Sequence, residues 1–162
     1  MTGRTIISVA AIASLVAVAS CGSDSDTVVT PTVVTYVSTL SGANEVPART
    51  TSATGTATYK LSGNILTYTV TVTGLTAAAT ASHIHSAPAG VNGNVIVPYV
   101  TASIQSGVVT SGSVDLSLPI VNGSTSITGD SLRTLLNNGG AYTNVHTSTF
   151  PGGEIRGQII KQ

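Results

Sequence analysis

The chain carries three histidines, His83, His85 and His146, and one cysteine, Cys21. His83-Ile84-His85 sets two imidazoles on one face of an extended segment, with Ile84 on the other face. Their Cβ atoms would stand about 7 Å apart, a spacing that suits shared coordination of a transition metal. His146 lies in Asn144-Val145-His146-Thr147 and joins them if the two segments pair as neighbouring strands. Three imidazoles with an open fourth position suit copper or zinc. Otherwise the same rings sit on a half-buried face, hydrogen-bonded to hydroxyls or backbone carbonyls.

A second cluster is Pro151-Gly152-Gly153-Glu154-Ile155-Arg156-Gly157-Gln158. Glu154 and Arg156 share a strand face by simple alternation, and Arg156 can grip a carboxylate bidentately. Glu45, in Gly42-Ala43-Asn44-Glu45-Val46-Pro47, is the other available carboxylate. Two readings follow for Glu45, Glu154 and Arg156: an internal ion pair that fixes strand register, or an arginine that docks an anion or partner. No catalytic residue is expected. The chain holds no G-x-S-x-G elbow, no phosphate-cradling glycine loop and no dinucleotide fingerprint.

The elements that must position these groups follow from composition. Threonine occurs 26 times and serine 20 times, while charged residues make up only 7% of the chain. Thr and Val favour a pleated, half-buried surface and sit poorly in helices, so the class is all-β. Lys+Arg and Asp+Glu balance at 6 each, and no basic patch exists for phosphates, which argues against a nucleic-acid partner. Hydrophobic content of 41% argues against disorder.

Alternation is clearest from Leu66 to Thr73, where Leu66, Tyr68, Val70 and Val72 face one way and four threonines the other. Ala53–Tyr59 repeats the pattern, and Ser62-Gly63-Asn64 between the two has hairpin chemistry. Further strands are expected at 33–40, 81–86, 94–100, 103–110, 113–118, 142–147 and 154–160, with turns that include Ser111-Gly112 and Asn122-Gly123. Short strands at this spacing predict a Greek-key β-sandwich or barrel. One short helix is expected near 131–137, with Leu132, Leu135 and Leu136 on one face and Asp130 as its cap.

The first twenty residues read as an export signal: Arg4, then an apolar run from Ile6 to Val18, then Ala19-Ser20-Cys21. This ending is similar to a bacterial lipobox, in which the cysteine is lipidated. An unpaired cysteine also has no disulfide to join. The expected organisation is a lipoprotein signal at 1–20, lipidated Cys21 with a flexible tether to 32, and one β domain at 33–162. A palmitate-bearing anchor in the membrane would hold the domain outside the cytoplasm. Without an Asp after Cys21, the outer membrane or cell surface is the expected location.

Four motifs in order carry a family resemblance: Leu40-Ser41-Gly42-Ala43-Asn44-Glu45-Val46-Pro47; His83-Ile84-His85 with Ala89-Gly90 and Gly93; Gly140 to Thr147; and Pro151 to Gln158. Together they resemble the CHRD domain, named for chordin, an extracellular antagonist of bone morphogenetic proteins, and present in bacterial secreted proteins. The resemblance implies an extracellular β domain, often a surface or secreted module, without an established enzymatic activity. A fainter likeness, Gly74-Leu75-Thr76 leading to His83-Ile84-His85, is similar to copper/zinc superoxide dismutases, where the H-x-H pair binds copper. That family's copper takes four histidines and this chain has three, so at most a reduced copper site is implied. The expected function is a cell-envelope lipoprotein whose domain is a non-catalytic binding or structural module with an extracellular or periplasmic protein partner. The competing expectation is a copper or zinc protein using His83, His85 and His146, with redox work open to it.

Overall fold

A computed structural model describes residues 31–162; the expected leader, Cys21 and the tether as far as Thr30 lie outside the described residues. The strands are β1 (Val33–Ser41), β2 (Thr54–Ser62), β3 (Ile65–Thr73), β4 (Ala79–Ser86), β5 (Asn94–Pro98), β6 (Gly107–Asp115), β7 (Ile120–Asn122), β8 (Thr125–Ile127), β9 (Ala141–Thr147), β10 (Ile155–Gln158) and β11 (Ile160–Lys161). One helix, α1 (Gly129–Asn137), interrupts them. The all-β class with one short helix therefore holds.

Nine strands make one antiparallel sheet in the order β5-β4-β9-β10-β1-β2-β3-β6, with β11 also pairing β1. The strands β7 and β8 form a separate hairpin that turns at Asn122-Gly123, where Gly123 takes φ 58°. The large sheet curls into a half-barrel whose two halves face each other. Tyr59 of β2 and Thr143 of β9 are separated by two strands in the sheet, yet their hydroxyls meet at 2.6 Å. Between the halves lies the apolar core, with Leu40, Leu66, Val70, Ile84, Val145 and Ile155 fully buried. The alternating sequence pattern supplies that inward face and leaves the threonines of β3 outside.

Several boundaries differ from expectation, each for a local reason. Ser111-Gly112 is not a turn: β6 runs straight through it, paired to β3. The glycine is needed because the Tyr68 hydroxyl passes over it, and a Cβ there would stand 2.7 Å from that oxygen. The strand ends at Asp115 instead of continuing to Leu118, because the Asp115 carboxylate accepts from the Ser117 amide and hydroxyl and closes a turn. Residues 99–106 are not a strand but a strap: Leu75 and Ala79 donate to the carbonyls of Gln105 and Ile104. The helix is capped by Thr128, whose side chain accepts from the Ser131 amide, while Asp130 lies inside the first turn.

Candidate metal centre

Pairing of β4 with β9 sets the histidines. The register places Ala81 opposite His146, His83 opposite Asn144 and His85 opposite Tyr142. Alternation then puts His83 and His85 on the same outer face as Tyr142, Asn144 and His146. One ring nitrogen from each histidine lies within 4.8 Å of the others. His85 is buried, and His83 and His146 are half-buried.

Two backbone carbonyls fix how these rings present their lone pairs. His85 Nδ1–H donates to Gly93 O at 2.9 Å, and His146 Nδ1–H donates to Pro151 O at 2.9 Å. A carbonyl can only accept, so both rings carry their proton on Nδ1 and leave Nε2 as an acceptor. Carbonyl-oriented imidazoles of this kind are the usual outer shell of metal-binding histidines. His83 Nδ1 stands 3.2 Å from His146 Nε2 and donates to it in the metal-free protein. Nitrogens bound to one tetrahedral zinc at about 2.0–2.1 Å stand about 3.3 Å apart, so an ion can replace that proton with little movement.

The rings are also held in the ligand-competent charge state. Burial, and then the neighbouring His146 and His85, push His83 down to about 4. Burial lowers His85 as well, with the Gly93 carbonyl opposing it and the charges of His146 and Arg156 adding to it. His146 is lowered by burial against the pull of the Pro151 carbonyl. Neutral imidazole is the form a metal binds. Gly93 is required for this arrangement, since a Cβ there would run into the Ser86 carbonyl.

Sequence reasoning missed Asn144. The signal was present in the alternation that puts Tyr142, Asn144 and His146 on one face. Asn144 is buried; its Nδ2 donates to Glu45 Oε1 at 2.9 Å, and its Oδ1 has no partner. Buried His85 Nε2 also lacks a partner. Tyr142 stacks on His85, with ring centroids 4.7 Å apart at 7°, and the Arg156 guanidinium lies 3.3 Å from the Tyr142 ring centroid.

Glu45, Glu154 and Arg156 are all buried, but the expected ion pair does not form. Among the described residues the ion pair within 4.0 Å is Arg133–Asp130, on the surface. Glu154 precedes β10, after Gly153 at φ 117°, so the strand alternation that would align it with Arg156 does not reach it. Its oxygens accept from Thr51 Oγ1, Thr76 N, Thr76 Oγ1 and Thr147 Oγ1. Arg156 instead donates to Asn92 Oδ1 and to the carbonyls of Val91 and Pro88. Its guanidinium is thereby committed inside the protein and not offered for docking. Glu45 feels Arg156 only as a more distant charge; burial raises its carboxyl, and the Asn144 amide opposes that rise.

The profile of the CHRD domain family matches residues 36–159, most of the described chain. The chain belongs to the CHRD domain family. The matched stretch of this CHRD domain contains all three histidines, Asn144, both glutamates and Arg156. No curated protein and no solved structure matches the chain.

Proposed function

We propose that this CHRD domain binds a transition-metal ion, copper or zinc, through His83, His85 and His146. The observation that carries the reading is the convergence of three ring nitrogens within 4.8 Å, two of them aimed by backbone carbonyls. Three neutral imidazoles and an open position suit either metal. In this reading the site holds the ion and the domain acts as a binding module.

The lipobox-like ending at Cys21 supports display of the domain outside the cytoplasmic membrane on a lipid anchor, at the outer membrane or surface, where it would meet an extracytoplasmic protein partner. Two experiments test this function. Metal analysis and copper(II) and zinc(II) calorimetry on the purified protein should give one ion per chain at submicromolar affinity, lost in His83→Ala. Binding that is weak, or unchanged by that substitution, defeats the metal reading. Palmitate labelling in a bacterial host should disappear in Cys21→Ala; labelling that persists removes the anchor.

A further inference from the structure

Asn144 poses a problem that the three histidines alone do not solve. Its Oδ1 and the His85 Nε2 are both buried, both without a partner, and sit on diagonally adjacent cross-strand positions. Both atoms are acceptors, since the His85 proton is on Nδ1, facing Gly93. Rotating the carboxamide would not help, because it would turn Oδ1 against the Glu45 carboxylate that now accepts from Nδ2. Gly153 closes over this pair so tightly that a Cβ would strike Asn144 Nδ2 and Glu45 Oε1. Glu45 therefore fixes which end of Asn144 points toward the histidines. Two unpaired buried acceptors on adjacent positions of one face call for a species that accepts one lone pair and donates to the other.

We infer that Asn144 Oδ1, oriented by Glu45, is the acceptor that holds a protic ligand such as water in the fourth position of the metal. The ion takes the His85 Nε2 lone pair, and an O–H of the ligand donates to Oδ1. Both orphaned atoms are then satisfied at once. This inference rests on the metal reading above and adds a selectivity to it. A site with a fixed acceptor beside its open position favours water and disfavours ligands that bring only lone pairs, such as azide. Asn144 is the specificity-determining residue, and Glu45 is a positioning residue that acts through it.

The test is an azide titration of the copper(II)-loaded protein, read by the azide-to-copper absorption band and by electron paramagnetic resonance, for wild type, Asn144→Ala and Glu45→Gln. Asn144→Ala removes the acceptor and should bind azide at least 10-fold more tightly than wild type, with altered copper resonance parameters. Glu45→Gln can offer its amide N–H to Oδ1, letting the carboxamide turn and present Nδ2 to the site. It should shift azide affinity the same way while preserving the buried volume, so it keeps the inference testable if Asn144→Ala fails to fold. Equal azide affinity and unchanged copper resonance in the folded variants would overturn the role of Asn144 while leaving the metal site standing. Failure of the wild type to load copper or zinc would defeat the metal reading and this inference with it.

Discussion

Glu154 offers the sharpest test of how this fold holds its loops. The residue is fully buried, and its carboxylate accepts from four donors on three segments: Thr51 before β2, Thr76 after β3 and Thr147 at the end of β9. Hydrogen bonds to a charged group contribute about 1.5–3 kcal/mol each, and a buried donor left unpaired costs about 1–3 kcal/mol. In Glu154→Ala the threonine hydroxyls can turn to other acceptors, but the Thr76 amide cannot. The net loss should be about 3–4 kcal/mol, which for a domain of this size lowers Tm by about 10–20 °C. Glu154→Gln keeps one oxygen for Thr51 and the Thr76 amide and presents an NH2 that the other two hydroxyls can accept from. It should cost only about 1–2 kcal/mol.

The same geometry fixes a pH dependence. Burial alone would push the Glu154 carboxyl up, but the Thr76 amide and the hydroxyls of Thr147, Thr51 and Thr76 outweigh it and hold the group below its ordinary value of 4.5. The folded state therefore binds this proton less tightly than the unfolded state. The contribution is complete above about pH 4.5 and is lost as pH falls through and below that value. Thermal melts at neutral pH and urea melts between pH 3 and 6 read both effects. A Glu154→Ala protein melting within about 3 °C of wild type, or a glutamine variant as damaged as the alanine one, would refute the four-donor account.

Three further outcomes follow from the geometry. In metal-free protein, His83 falls from 6.5 unfolded to about 4 folded, so stability should drop as pH is lowered through that window; urea melts should show a loss on the order of 1–2 kcal/mol between pH 7 and 5, smaller in His83→Gln. Thr128→Ala should cost about 1 kcal/mol in thermal melts as a lost helix cap, whereas Asp130→Ala, whose side chain is exposed and only 3.8 Å from Arg133, should cost under about 0.5 kcal/mol. Gly93→Ala should push the chain off the Ser86 carbonyl, release His85 Nδ1 and weaken zinc binding at least 10-fold by calorimetry, and unchanged affinity would show that the Gly93 carbonyl does not aim the ring.

The strands were legible wherever one face was buried and the other wet. Leu66 to Thr73 alternates because its inner residues meet the core, and its boundaries were read to within one residue. Reading failed where a residue's usual meaning was overridden by a distant neighbour. Gly112 looked like a turn because glycine often makes one, but Tyr68, far away in sequence, requires the missing side chain. The histidine site was half legible. The H-x-H spacing was visible, but which strand lies beside it is a long-range choice set by the β4–β9 pairing. Alternation put Asn144 on the face of His146, but its role was not legible, because an asparagine acquires meaning only from what its two ends touch. Glu154 and Arg156 misled for a related reason: opposite charges two residues apart suggest a pair, and the turn at Gly153 breaks the periodicity that would make them one.

The way those charges are accommodated ties the composition to the interior. Burying an unpaired carboxylate or guanidinium is unfavourable unless dipoles replace the lost water. A chain with 46 hydroxyl-bearing Ser and Thr residues has short dipoles to hand. Glu154 is solvated by threonine hydroxyls and one amide, Arg156 by two carbonyls, an asparagine and the face of Tyr142, and Glu45 by Asn144. Neutral dipoles satisfy each charge without placing a second charge beside it. Arg156 therefore keeps a positive field at His85, which favours the neutral ring, and the Glu45 carboxylate holds Asn144 in one orientation. An Arg156–Glu45 ion pair would have cancelled both effects. The threonine-rich sequence that favours strands thus also solvates Glu154, while carbonyls and asparagines hold Arg156 and Glu45 near the three neutral imidazoles.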